Sequence, residues 1–331
     1  MATISDVARL ANVSETTVSH ALSGIRPVSA KLQARVLAAA ATLQYQPDAA
    51  ARSLRTGKTD TLALLIPDIT NSWHPLVARG LLDATTPEGY HTLLCVTDGK
   101  VEQEVAFLSE LVRRRVDGIM IITFSYAMDV VRGALRGIPA VLTVLPDEPT
   151  PDLDYIDFDE VDAARMAVDH LIQRGCRRIA TITGPLDLPG AHRRFQGYRE
   201  GLLAHGLPVD HSLVVQGDYW MPSGAQAATR LLEARPRPDA IFAANDLMAI
   251  GALGALRQAG VLVPDDVALV GFDDIPEAEI TYPQLTTVRQ PAYEMGQQAG
   301  SILLRRLRGS REAPGSIVVQ VSPVLVRRGT A

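Results

Sequence analysis

Residues 3–22 read TISDVARLANVSETTVSHAL, from Thr3 to Leu22. Ala8 is a small residue where two helices would cross closely. Asn12 is one of the few non-glycine types that takes a left-handed turn conformation cheaply. Ser14 is a good N-cap for a second helix, leaving Glu15 and Thr16 in its first turn. On that helix Val18, Ala21 and Leu22 point to a small core, with Val13 and Val18 as the apolar wedge, while Glu15, Thr16, Ser19 and His20 stay exposed. A third helix from Ala30 to Leu43 would pack Leu32, Val36 and Leu43 against the pair. This spacing predicts a helix-turn-helix whose second helix can enter the major groove of DNA. A purely structural helical hairpin is the alternative.

Charge supports the first reading once it is divided by position. The 331-residue chain carries a net −5, which looks wrong for nucleic-acid binding. Residues 1–58, however, hold seven basic side chains against three acidic ones, a net +4, and leave −9 on the remainder. A basic head on an acidic body suits a modular DNA binder, because only the head approaches phosphate. Composition is ordinary globular, with 47% hydrophobic and 21% charged residues, which excludes disordered and fibrous classes. The amino terminus lacks a secretory stretch and no run nears the ~18 apolar residues of a membrane span, so a cytoplasmic protein without membrane association is expected. Cys95 and Cys176 lack a CxxC partner and read as buried thiols, not as a metal or disulfide framework.

Three blocks follow along the chain. Residues 1–45 are short helices. Residues 46–59 are an Ala/Arg-rich connector with Pro47 near its start and Gly57 at its end, the marks of a short helix. Alone that helix is too short to be stable in water, so it would fold only against a symmetry mate and DNA. Leu54 would then be an apolar wedge for a minor-groove step; a flexible linker with an incidental leucine is equally open. From residue 60 to 331, apolar β-runs alternate with amphipathic helices, which argues for parallel α/β architecture with strands covered on both faces. The runs are Leu62–Ile66, His91–Val96, Asp117–Ile122, Ile138–Val144, Tyr155–Phe158, Arg178–Thr183, Ala240–Ala244 and Val267–Phe272, with Val324–Val326 last. Helical patterns include Val101–Arg115, Val161–Arg174 and Leu247–Ala259.

The chain resembles the lac-repressor (LacI/GalR) family of transcriptional regulators. The likeness is carried by Ile4-Ser-Asp-Val-Ala-Arg-Leu-Ala, Thr17-Val-Ser, Tyr45-Gln-Pro, Ala51-Arg-Ser-Leu-Arg-Thr-Gly, Ile66-Pro-Asp-Ile-Thr-Asn71, Arg115-Val-Asp-Gly118, Ala244-Asn-Asp246, Val270-Gly-Phe-Asp-Asp274 and Leu285-Thr-Thr-Val-Arg-Gln-Pro291, in order along essentially the whole length. The resemblance implies a small all-α helix-turn-helix head, a hinge helix and a periplasmic-binding-protein-like core of two Rossmann-like subdomains. The first subdomain would comprise about 60–159 and 290–319, the second about 160–289 and 320–328. It also implies a homodimer on a pseudo-palindromic double-stranded operator, acting as a repressor controlled by a small effector, with no cofactor. Candidate DNA contacts are Thr3, Ser5, Ser14, Glu15, Thr16, Thr17, Ser19 and His20 in the head, and Ala51, Arg52, Leu54 and Arg55 in the connector. His20 stands where the family usually has Arg, and Asp48 where it usually has Asn, so the operator sequence is not transferable from relatives.

Ligands of open α/β sheets bind beyond the carboxyl ends of the strands. Those ends place Asp68, Asn71, Trp73 and His74 after the first run, Arg194 after Arg178–Thr183, Asn245 after Ala240–Ala244 and Asp273 after Val267–Phe272. Tyr219 is a further aromatic platform, with Trp220 as its alternative. Acids, an amide and a guanidinium among aromatics suit a hydroxyl-rich ring, so a sugar or sugar derivative is the expected effector. Each has a plainer reading: Asp273 and Asp274 as turn caps, Asn245 as a helix N-cap, His74 as a solvated helix start, and Arg194 paired with Glu200 or the loop acids, or replaced by Arg193. Asp159, Asp162 and Gln290 are additional candidates.

Two rival functions remain. A small-molecule receptor without DNA activity would need only the core. A Rossmann-type enzyme would need a phosphate cradle, but Gly251-Ala-Leu-Gly254 falls inside a helix instead of at a strand-to-helix turn. No catalytic spacing stands out, so an enzyme is not expected.

Overall fold

The first helix begins where the sequence caps it. Thr3 and Asp6 exchange side-chain and backbone hydrogen bonds in a reciprocal capping box that opens α1 (Ile4–Leu10). The helix closes in a Schellman turn: Val13 N–H donates to the Ala8 carbonyl at 2.9 Å and Asn12 N–H to that of Arg9 at 3.2 Å. Asn12 takes the left-handed conformation at φ +50°, as its residue type predicts. Ser14 Oγ accepts from Thr17 N–H at 3.2 Å, capping α2 (Glu15–Ser23). Ser29 caps α3 (Ala30–Thr42), whose Arg35 donates to the Asn12 carbonyl at 3.2 Å and so braces the turn.

Val7, Ala8, Ala11, Val18, Ala21, Val36, Ala39 and Ala40 form the core of this head. Val13, Leu22 and Leu43 pack at its edge. Leu32 departs from expectation: it is half-buried and lies outside that cluster. Ala39 and Ala40, three and four residues beyond Val36, share the core-facing stripe and let α3 approach closely, which a leucine at that depth would prevent.

The computed structural model describes residues 2–23, 26–46, 53, 57–122, 128–143, 150–309 and 316–331. It divides into Met1–Thr59 and Asp60–Ala331. In the second unit the chain weaves two six-stranded sheets. The first contains β1 (Thr61–Ile66), β2 (His91–Val96), β3 (Gly118–Ile121), β4 (Ala140–Leu142), β5 (Asp154–Phe158) and β11 (Val318–Val321). Its order is β11-β5-β4-β3-β1-β2, and every pairing is parallel. The second contains β6 (Ile179–Thr183), β7 (Val214–Gln216), β8 (Ala240–Ala243), β9 (Ala268–Asp273), β10 (Thr286–Arg289) and β12 (Val324–Val326). Here the order is β12-β10-β9-β8-β6-β7, with β12 alone antiparallel among the pairings.

Helices α4 (Trp73–Thr85), α5 (Val101–Arg113), α6 (Met128–Leu135) and α12 (Ala292–Leu307) flank the first sheet. Those of the second lobe are α7 (Glu160–Gln173), α8 (Pro189–Ala204), α9 (Met221–Leu232), α10 (Asp246–Gln258) and the short α11 (Glu277–Ile280). The chain crosses between lobes three times: from β5 to α7, from β10 to α12, and from β11 to β12. The last crossing follows Val321, so the 319/320 boundary expected from sequence falls inside β11 and must move two residues on. The central strands are buried at nearly every position, whereas β2 is an edge strand with Leu93 and Leu94 exposed, so its apolar run is not covered on both faces.

Gly251 sits in mid-helix on α10, and a Cβ there would lie 2.0 Å from the Met221 carbonyl oxygen. Its missing side chain lets α9 and α10 touch backbone to backbone, which accounts for that glycine without a phosphate. Among the described residues no helix is long and apolar enough to cross a membrane.

Candidate functional site

On the head, Thr3, Ser5, Ser14, Glu15 and Thr16 are exposed, and Thr17, Ser19 and His20 are half-buried. Thr3 and Ser14 already serve as helix caps, and Ser14 Oγ also meets Thr17 Oγ1 at 2.8 Å. Glu15 and Thr16 are exposed and Ser19 and His20 half-buried along α2. The hinge candidates Ala51, Arg52, Leu54 and Arg55 lie outside the described residues.

In the second unit a cleft opens at the carboxyl ends of the strands. It is lined by Asn71, Trp73, His74, Ile122, Thr143, Phe158, Glu160, Leu188, Pro189, Gly190, Arg193, Arg194, Tyr219, Asn245, Asp273 and Gln290. The cleft offers about 100 Å³ to the centres of water-sized molecules. One water needs on the order of 10–15 Å³ on that measure, so the space suits a small molecule that displaces several waters.

Arg194 is its centre. From α8 the guanidinium donates to Glu160 Oε1 at 3.0 and 3.1 Å, to the Ala244 carbonyl at 2.6 Å and to Gln290 Oε1 at 3.4 Å. Asp273 Oδ1 stands 3.6 Å away, and the guanidinium lies 3.9 Å from the centre of the Phe272 ring. Burial alone would lower the Arg194 pKa, but Glu160 and Asp273 hold it above the usual value. Glu200, the alternative partner, instead accepts from Gln196 on the helix surface.

Two carboxyl groups thus share one buried cation. Burial pushes Asp273 up to about 7, Arg194 opposing and Glu160 reinforcing the shift. Asp273 and the next residue, Asp274, both have positive φ, at +115° and +58°. Ion pairs from Asp274 to Arg289 and Arg328, at 2.7 Å each, hold this bend. Asp246, wholly buried at the start of α10, accepts from Thr287 Oγ1 at 2.6 Å and Ile275 N–H at 2.9 Å. Its burial, helped by Asp273, raises its pKa strongly despite those bonds.

The first lobe contributes a different chemistry. Asn71 Oδ1 accepts Trp73 N–H at 3.0 Å, and the Trp73 indole donates to the Gln290 carbonyl at 3.3 Å. The His74 ring meets that of Trp73 edge-on at 5.3 Å. Burial pulls His74 down to about 4 against the attraction of Asp68, so the imidazole is neutral near pH 7 and is not the solvated helix start its sequence allowed. Ser72 Oγ donates to Glu277 Oε1 at 2.5 Å, joining the two lobes beside the cleft.

Seven of the eight cleft candidates therefore converge, and Asp68 does not. Its carboxylate accepts Thr70 N–H at 2.8 Å and the Thr70 hydroxyl at 2.9 Å, a local turn, and it is absent from the lining. Tyr219 is the platform in the wall, while Trp220 is 43% exposed and outside it. Asp159 caps α7 and Asp162 pairs with Arg165, so the acid that reaches the cleft is Glu160 between them. Glu160 and Phe158 went unrecognised because they flank the first crossing; Gln290 sits on the second. Arg193 lines the cleft beside Arg194, so the two neighbouring registers are both occupied.

A helix-turn-helix head followed by a two-lobed sheet core with a cleft between the lobes defines a ligand-responsive DNA-binding regulator. Residues 3–48 match the bacterial regulatory proteins of the lacI family, and residues 168–331 match the periplasmic binding protein-like domain. The chain is 38% identical to the ribose operon repressor of Escherichia coli (strain K12), over all of both sequences. Among solved structures, it superposes on the lac repressor dimer bound to operator and the anti-inducer ONPF with a TM-score of 0.90, at 27% identity, covering 99% of this chain and 98% of that one. It also matches the transcriptional regulator CelR–cellobiose complex over all of both chains, at 32% identity and a TM-score of 0.75. The chain belongs to the lacI family, and is a DNA-binding transcriptional regulator, not an enzyme.

Proposed function

We propose that this protein is a cytoplasmic, dimeric repressor that releases or grips a pseudo-palindromic operator according to whether a sugar occupies the core cleft. Glu15, Thr16, Ser19 and His20 read bases in the major groove. Thr3, Ser5, Ser14 and Thr17 set the head on the backbone. The 46–59 connector acts as a hinge, with Ala51, Arg52, Leu54 and Arg55 against the minor groove. In the core, Asn71, Trp73, His74, Arg194, Tyr219, Asn245 and Asp273 form the sugar site, joined by Glu160 and Gln290. The observation that carries this reading is the Arg194 guanidinium held between Glu160 and Asp273 in a cleft that Trp73, Phe158 and Tyr219 also line. Fixed donors and acceptors at the edge of a ring and flat apolar groups at its face are what a hydroxyl-rich ring demands. The likeness to a ribose operon repressor and to a cellobiose-bound regulator supports the same class.

A coupling between sugar and DNA of ~1–3 kcal/mol, or about 5–150-fold, suffices for regulation. Fluorescence anisotropy with twofold-symmetric and random duplexes, at rising salt and with D-ribose, other pentoses and cellobiose, tests the scheme. Specific binding that weakens with salt and shifts with one sugar is the expected result. No preference for any symmetric duplex, with or without sugars, refutes it.

A further inference from the structure

Asp246 is wholly buried, yet it is not among the residues that line the cleft. It opens α10, and its carboxyl lies against β9. A Cβ built on Gly271 would fall 2.2 Å from Asp246 Oδ1, so the strand is bare where the acid sits. The same oxygen accepts the Thr287 hydroxyl at 2.6 Å, and Thr287 is the partner of Gly271 across the β9–β10 ladder. The other oxygen, Oδ2, accepts Ile275 N–H at 2.9 Å. One carboxyl thus spans residues 271–275 with an oxygen at each end.

Between those ends lies the bend that carries Asp273 into the cleft. Two successive positive φ values at Asp273 and Asp274 persist only where the surroundings impose them. Asp274 is held by its arginines, and Gln290 N–H donates to the Asp273 carbonyl at 3.3 Å. The far end of the bend depends on Asp246. Ile275 is buried in the apolar cluster that contains Trp73, Val77 and Met295 of the first lobe, where a backbone N–H must find a partner. Burial and the nearby Asp273 both oppose ionisation of Asp246, so the acid is kept in this place at a cost.

We propose that Asp246 is a positioning residue, which braces the 271–275 segment and so aims the Asp273 carboxyl at Arg194 and the cleft. It acts on a bound sugar through Asp273, from behind the wall. This rests on the cleft being the sugar site, and it gives the two acids different tasks, one in the wall and one in its support.

A double-substitution cycle in the full chain tests this. Asp246→Ala removes both bonds, and Asp246→Ser replaces it should the alanine variant not fold. With D-ribose as the calorimetric probe, Asp246→Ala should weaken binding about tenfold in the parent, the scale of one lost buried hydrogen bond. In an Asp273→Ala background the same change should cost less than about twofold, because the side chain being aimed is gone. An equal loss in both backgrounds overturns the proposal. Asp246→Asn keeps an acceptor for Ile275 and a polar partner for Thr287, so it should restore most of the affinity; a loss equal to that of alanine also overturns it. Amide hydrogen exchange without ligand gives an independent arm. In Asp246→Ala the Ile275 amide should exchange about tenfold faster than in the parent, while the Leu269 amide, which donates to the Thr330 carbonyl, keeps its rate. Equal quickening of both amides would mean general loosening of the lobe and overturns the brace. If ribose binds none of these proteins, the sugar reading loses support while the exchange arm still decides this one.

Discussion

The two lobes of the core meet the cleft with opposite chemistries. The second brings all the formal charge, with Glu160, Arg193, Arg194 and Asp273; the first brings Asn71, Trp73, a neutral His74, Ile122 and Thr143. A polar lobe fixes the orientation of a small molecule through bonds that tolerate little displacement. An aromatic, uncharged lobe rewards contact with far less demand on angle, so it can approach and withdraw at lower cost. On the proposed sugar reading, this asymmetry makes the second lobe the anchor and the first the cover.

Removing the central cation should break this contrast most severely. Arg194→Met leaves Glu160 and Asp273 buried around an apolar side chain, and stripping one partner from a buried pair costs about 3–5 kcal/mol. Thermal melting should show a large loss of Tm, and sugar binding should disappear. A variant that melts like the parent would show that the anchor is not electrostatic.

Asp273→Asn sharpens the comparison through its sign. The carboxyl titrates near 7 in the folded protein against an ordinary 3.8, so the fold retains a proton that the unfolded chain sheds across that interval. The resulting cost is absent below about pH 4 and complete above about pH 7. Asp273→Asn should therefore be more stable than the parent at pH 8, by on the order of 2–4 kcal/mol, with the gap narrowing at pH 5. His74, lowered to about 4, destabilises in the other direction as pH falls from 6.5, but equally in both proteins, so the difference reports Asp273 together with its effect on Asp246. Sugar affinity should fall at both pH values.

The smallest effect is expected at the cover. Ser72→Ala deletes the 2.5 Å bond to Glu277 that ties the lobes together. A net loss of about 0.5–1.5 kcal/mol follows for a single hydrogen bond. Sugar dissociation measured by stopped flow should quicken several-fold with little change in association. Unchanged dissociation would mean that this bond does not govern escape from the cleft.

Most of the architecture was legible because it is written in local patterns. Ser14 and Asn12 specify a cap and a turn within a few residues of themselves, and the buried strands appear as uninterrupted apolar runs. The strands that escaped were β7, only three residues long, and β10 and β11, where threonines, Arg289 and Gln320 interrupt the apolar run. Their place is set by partners far away in the chain. The cleft follows the same division. Arg194, Asn245 and Asp273 come just after β-runs or on the helix that follows, so a general rule about strand ends finds them. Glu160 and Phe158 lie at a crossing between lobes, which only the weave of the whole chain reveals. Asp68 was misjudged for the opposite reason, since a hydroxyl two residues away satisfies it locally.

The three crossings have a consequence for what the molecule can communicate. Strands at residues 158–160, 289–292 and 321–324 tether the same pair of bodies side by side. Three short tethers restrict sliding more than they restrict rotation of one lobe against the other. On the proposed reading, a guest in the cleft reports outward chiefly through the angle between the lobes. Chemically different guests become comparable on a single scale, and a change in cleft residues can alter which molecule is heard without rebuilding how the message is delivered.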